Sequence, residues 1–149
     1  MKITGFTYYF ALIFLLFFNN FYAQQESKPT NIIFYLSDDQ DLLDYGVYGN
    51  PKVETSNVDL LATQGIKFTN FYTGQAICAP SRSQIFTGMY PVKNGCMANH
   101  IGVKPNIKSI TSLLKESGYE VVLAGKSHVK PNKVFDWTHY FPKVNNRYL

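Results

Sequence analysis

Cysteine is scarce in this chain: Cys78 and Cys96 are the two in 149 residues. Two cysteines make no disulfide framework, although one bridge between them stays open in an oxidising compartment. Charge of one sign is also nearly absent as an excess. The net charge is +4, and the lysines and arginines are scattered rather than gathered into a stripe. Without a basic stripe, nucleic acid is not an expected partner. No apolar run is long enough for a stable membrane span. The longest, "GFTYYFALIFLLFF", is stopped by Asn19 and Asn20, short of the ~20 residues a bilayer requires. Internal repeats and low-complexity segments are missing as well, and the length suits one ordinary domain.

That apolar run does fit a secretory signal peptide. Lys2 supplies the positive tip and Ala23 a small residue before a cut at Gln24, although Phe21 stands where a small residue is preferred. No cysteine lies near the cut, so a lipid anchor on Cys is not indicated. Residues 1–23 are therefore expected to be a signal peptide and residues 24–149 the mature part, exported to the periplasm or secreted.

After a polar lead-in, "NIIFYLSDD" is a continuous apolar run ending in two carboxylates and predicts a buried strand over 31–39. A loop rich in Gly, Asn and Pro follows. "TSNVDLLATQG" predicts a short helix with Thr55 or Ser56 as cap, an apolar face of Val58, Leu60 and Leu61, and Gly65 as stop. "IKFTNFYT" alternates Ile66, Phe68, Asn70 and Tyr72 on one side and predicts a second strand. A helix is expected to begin near Pro80. "SITSLLKESG" predicts another, capped by Ser109, with Ile110, Leu113 and Leu114 as its face and Gly118 as terminator. "YEVVLAGKSH" predicts a third strand, and the tail from Val129 shows no clear period. Strand, helix, strand, helix, strand implies an α/β fold with a mainly parallel sheet flanked by helices. In such sheets ligands gather beyond the carboxyl ends of the strands. Two of the expected strands end in "DD" and "GKSH".

Chemistry concentrates in three places. Asp38 and Asp39 repel each other unless a cation intervenes, and an all-oxygen donor pair points to calcium or magnesium. Alone, the pair reads more readily as a solvated turn. Cys78 can be a buried small hydrophobe, half of a disulfide, a metal ligand or a nucleophile. Four residues on, Arg82 shares its helical face, and the helix start at Pro80 favours a bound anion. Lys126 and His128 fall on one side of an extended segment, which suits gripping an anion with a cation and a proton donor.

Taken together, these residues resemble one family. "CAPSR" (78–82) is similar to the Cys-x-Pro-Ser-Arg signature of the type I sulfatases, in the alkaline-phosphatase-like superfamily. "NIIFYLSDD", "YGVYGNPKVETSNVDLLATQGIKFTNFYT", "FTGMYPVKNG" and "LKESGYEVVLAGKSH" resemble the segments around it, and the nearest branch is that of sulfamidase-like and polysaccharide sulfatases. The resemblance implies the N-terminal part of an alkaline-phosphatase-like fold. It implies that Cys78 is converted by a formylglycine-generating enzyme to formylglycine (3-oxoalanine). The hydrate of that aldehyde attacks sulfur and later expels sulfate. It further implies a calcium ion held by Asp38 and Asp39 and approached by the group at Cys78, with Arg82 orienting the nucleophile. Lys126 and His128 are then expected to bind the sulfate of a sulfated carbohydrate. Asn99 and His100, in "CMANH", read either as residues within reach of the sugar or as part of an ordinary polar loop.

Three features depart from the pattern. Ser127 stands where the family often has Trp, which alters the pocket wall, and Ser56 stands where a helix-starting Pro is common. Cys96 is expected to be a free buried thiol, since a bridge to Cys78 would consume the residue to be modified. His139 has no motif around it. The family also runs to several hundred residues, whose later part completes the calcium site, so the chain is expected to be an incomplete fragment, inactive alone. The other readings are a phosphonate monoester or phosphodiester hydrolase of the same superfamily, and a non-catalytic exported remnant.

Overall fold

The computed structural model describes residues 30–142; the expected signal peptide lies outside them. The chain divides into two units at Leu36/Ser37. In the first, the described residues 30–36 carry no regular structure, and Ile33 is 93% exposed.

The second unit opens with two 3-10 turns, Leu42–Asp44 and Gly46–Tyr48. Four helices follow: α1 (Ser56–Gln64), α2 (Cys78–Thr87), α3 (Pro91–Asn94) and α4 (Ile110–Glu116). Strands β1 (Val122–Gly125) and β2 (His139–Pro142) form a two-stranded parallel sheet with Val122 opposite His139 and Gly125 opposite Pro142.

Helix boundaries follow local chemistry. At the start of α1, Thr55 Oγ1 donates to Asp59 Oδ1 at 2.9 Å and accepts from the Gly46 N–H at 2.9 Å. Asp59 also accepts from Val47 N at 2.8 Å, so the carboxylate of the first turn ties the helix to the loop before it. α2 starts two residues ahead of Pro80, which sits in the first turn where its missing N–H costs nothing. α2 stops at Gly88, whose left-handed φ of 65° lets its N–H reach Gln84 O at 2.8 Å. α4 follows Ser109, but the Ser109 side chain makes no cap bond and donates to Val134 O instead; the helix gives way at Ser117, with Gly118 left-handed just beyond.

The core gathers on one side of α2. Ala79, Phe86, Cys96, Val103, Val129, Val134 and Phe135 are buried together, with Ile107 and Trp137 packed against them. Phe86 meets Trp137 edge-on at 5.4 Å and Phe135 at 6.3 Å between ring centroids. Cys96 is buried and free, as expected, with Sγ 3.0 Å from Ile101 O.

Several expectations are corrected. Residues 31–39 and 66–73 form no strand, and Ile33, Tyr35, Ile66, Phe71 and Tyr72 are each more than 80% exposed. A strand pairs its backbone N–H and C=O groups with those of a neighbouring strand, and neither run makes a backbone–backbone bond among the described residues. The expected apolar faces of α1 and α4 are also not buried: Leu61 is 68% and Leu113 49% exposed. α4 instead buries Thr111, whose Oγ1 lies 2.7 Å from Ser109 Oγ. β2 arises in the tail, which shows no period in sequence; Thr138 N donates to Val121 O at 2.8 Å and sets its register.

Candidate active site

β1 delivers the first functional side chain. Its last residue, Gly125, is followed by Lys126, which leaves the carboxyl end of the strand as the parallel-sheet rule anticipates. Lys126 Nζ grips both oxygens of Asp38, at 2.9 and 2.7 Å. The two residues are 88 positions apart in sequence.

Arg82 closes this cluster from α2. Its guanidinium is buried, with Nη1 donating to Lys126 O at 2.8 Å and Nη2 to Asp38 Oδ1 at 3.3 Å. One fork thus holds the backbone of Lys126 and the carboxylate that Lys126 binds. Bonding to Lys126, and then to Arg82, holds the Asp38 carboxyl below the ordinary carboxylate range. The bond to Asp38 pushes the Lys126 ammonium above its ordinary value, and Cys78 acts on it in the same direction. Cys78 is the first residue of α2 and is half-buried.

His128 stands two residues beyond Lys126. Its φ is +53°, so the extended geometry expected from Lys126 to His128 does not hold there. The bend faces the His128 ring toward His100, itself at φ +69°, with centroids 5.8 Å apart. Among the described residues, His128 Nδ1 is buried without a hydrogen-bond partner. Burial, and then the charge of Lys126, push the imidazole below its ordinary value, which favours the neutral ring at pH 7. Ala79, His100, Ile101, His128, Val129 and Lys130 line a cavity of about 140 Å³ beside it.

The charge balance decides what this arrangement can bind. One carboxylate, Asp38, faces two cations, Lys126 and Arg82. The local excess is positive and suits an anion at the half-buried end of α2.

The structure brings together Asp38, Arg82 and Lys126 by direct bonds, and His100 with His128 as a facing pair. Asp39, at φ +58°, is exposed. Among the described residues no three His, Cys, Asp or Glu side chains converge as a metal shell. Asp38 and Asp39 match a calcium or magnesium ion in kind, as hard oxygen donors, and fall short in number.

Two asparagines in this region escape a reading by motif. Asn99 Oδ1 accepts the Ala79 N–H at 3.0 Å and so caps α2 from 20 residues away. Asn94 is fully buried, with the two N–H groups of Nδ2 shared among Ser83 Oγ, Thr87 Oγ1 and Met89 O, and Oδ1 accepting from the Cys96 N–H. A cap from a distant loop leaves no local spacing signal, and "KNG" reads only as a turn.

Comparison with known proteins gives this geometry its context. The family model described as Sulfatase matches residues 30–147. An ulvan-active sulfatase of Formosa agariphila is 67% identical over 118 residues, covering 79% of this chain and 24% of that protein. Human N-acetylgalactosamine-6-sulfatase is 34% identical over 120 residues, covering 72% of this chain and 23% of the enzyme. A solved structure of a protein with its substrate D-glucosamine-2-N,6-O-disulfate superposes with a TM-score of 0.69 at 32% identity. That match covers 76% of this chain and 23% of the other. The chain thus spans about a quarter of the length of the curated relatives it matches. Its helices and small parallel sheet are part of the alkaline-phosphatase-like α/β fold of these proteins. The chain belongs to the type I sulfatase family.

Proposed function

We propose that the protein is an exported sulfuric ester hydrolase that removes sulfate from sulfated sugars, and that residues 24–149 supply the N-terminal portion of its catalytic domain. The observation that carries this reading is the Asp38–Arg82–Lys126 cluster, a net-positive group set against the end of α2 that bears Cys78. A sulfate ester is already anionic, so attack on it needs positive charge fixed in place before the nucleophile arrives.

Each residue has a role that its surroundings support. Lys126 neutralises charge on the sulfate oxygens. Arg82, buried and locked by two bonds, orients the group at Cys78 and keeps Lys126 aimed. His128, neutral with an Nδ1 unpartnered among the described residues, bonds a sulfate oxygen or moves a proton. His100 faces the sugar side of the same space. Cys78 is the substrate of a formylglycine-generating enzyme, and the hydrated aldehyde formed there would supply an oxygen nucleophile. Asp38 and Asp39 would hold a calcium ion together with oxygen ligands from outside the described residues, and that ion would add positive charge beside the sulfate.

The relatives guide the substrate class. Their names refer to ulvan, to N-acetylgalactosamine and to a glucosamine disulfate, all carbohydrate, and a sulfated sugar or polysaccharide is the proposed substrate here. The complete gene product, co-expressed with a formylglycine-generating enzyme, tests the reading on matched sulfate and phosphate esters of one sugar. Release of sulfate is expected. Preference for the phosphate or phosphonate ester overturns it.

A further inference from the structure

We propose that Asn99 is a positioning residue for the nucleophile: its carboxamide caps the helix end that carries Cys78 and fixes that end against the His100–His128 pair. The inference rests on the sulfatase reading for its catalytic consequence, and on hydrogen bonds for the contact itself.

The first turn of α2 needs help from outside. A helix begins with backbone N–H groups that have no partner within it, and the residue before α2, Ile77, has no side chain able to cap. Asn99 fills the gap by accepting from Ala79, the residue next to Cys78. Ala79 is 2% exposed, so no water replaces the bond.

The loop that carries Asn99 is itself rigid. Asn94, at its start, grips α2 at its middle through Ser83 and at its last residue through Thr87. Cys96 Sγ lies 3.0 Å from Ile101 O across the loop, and Ile101 N donates to Ala98 O at 3.3 Å. Gln75 Nε2, from the segment leading into α2, donates to Met97 O at 2.8 Å. One braced loop therefore holds α2 at its start and its middle. The residue after Asn99 is His100, fixed at φ +69° with its ring toward His128. Moving Cys78 relative to His100 requires breaking the Asn99–Ala79 bond or turning His100 out of its left-handed backbone conformation.

Two variants of the complete protein test this. Asn99→Leu keeps the volume and removes the acceptor, whereas Asn99→Asp keeps the acceptor. In protein made without the modifying enzyme, Cys78 keeps its thiol, and its alkylation by iodoacetamide reports the order of the helix end, with buried Cys96 as internal reference. Asn99→Leu is expected to alkylate several-fold faster at Cys78, and Asn99→Asp no faster than the wild type. In the converted enzyme, Asn99→Leu is expected to lower kcat by about tenfold or more with KM little changed, because a misplaced nucleophile costs rate rather than binding. Asn99→Asp is expected to keep kcat and raise KM, since its charge repels an anionic substrate. Equal alkylation in all three proteins overturns the proposal. A rise in KM with kcat intact in Asn99→Leu also overturns it, in favour of direct sugar contact. Absence of sulfatase activity in the wild type refutes the functional reading instead, and the alkylation result still decides the contact.

Discussion

Replacing Asn94 with leucine should unfold the scaffold under the site more readily than any other uncharged exchange near it. Asn94 is fully buried and spends its amide on four neighbours. The two N–H groups of Nδ2 are shared among Ser83 Oγ at 3.0 Å, Thr87 Oγ1 at 3.2 Å and Met89 O at 3.2 Å, and Oδ1 accepts from Cys96 N at 2.8 Å. Leucine has similar volume and none of these bonds. Stranding the buried Cys96 N–H costs about 1–3 kcal/mol, and the lost donations cost about 1 kcal/mol each where no other partner exists. Ser83 keeps its own bond to Pro80 O and Thr87 its bond to Ser83 O, so the Met89 carbonyl is the main further loss. The greater apolar burial of leucine offsets about 1 kcal/mol of this. The net expectation is a loss of about 1–3 kcal/mol, a sizeable share of a typical domain stability of about 5–15 kcal/mol. Urea unfolding followed by the emission of Trp137, which packs on Phe86, measures it. Asn94→Asp sharpens the test: it keeps the acceptor for Cys96 but sets a carboxylate oxygen against the Met89 carbonyl. Its loss should shrink in acid, where the protonated carboxyl can donate. A loss below about 0.5 kcal/mol for Asn94→Leu, the scale of an ordinary surface change, would show that this network does not brace the loop.

Other substitutions follow from the same geometry. A methyl group at Gly102 would lie 2.9 Å from the backbone oxygen of Lys130, the atom that accepts from Val103 N. Gly102→Ala should therefore cost about 1–3 kcal/mol, and an unchanged thermal midpoint contradicts that contact. Arg82→Lys keeps the charge but cannot hold Lys126 O and Asp38 together with one planar fork. The complete enzyme should lose at least about tenfold in kcat on a sulfate ester, and wild-type turnover in that variant removes Arg82 from the mechanism.

The site was more legible in the sequence than the sheet. Cys78, Arg82, Asp38 and Lys126 stand out because charged or reactive side chains directly follow apolar runs or open a helix, and the chain does bring Arg82, Asp38 and Lys126 into contact. Helix ends were legible too, since Gly65 and Gly118 act through backbone chemistry local to the sequence. Strands are different: apolar alternation says that a segment can pair, and pairing needs a partner elsewhere. "IKFTNFYT" has the pattern and finds no partner among the described residues, whereas His139–Pro142 has almost no pattern and pairs with β1. His128 was placed correctly beside Lys126 in sequence but with the wrong backbone, because positive φ in a non-glycine residue leaves no sequence mark. Asn94, and the capping role of Asn99, were illegible for a related reason, as their partners lie in other elements.

The central claim is that Cys78 is the precursor of an aldehyde nucleophile, and tandem mass spectrometry of the tryptic peptide ending at Arg82 tests it most directly. Protein purified from its native host should carry, at Cys78, the loss of one sulfur and two hydrogens with the gain of one oxygen, while Cys96 remains an unmodified thiol. A plain thiol at Cys78 in that protein contradicts the account.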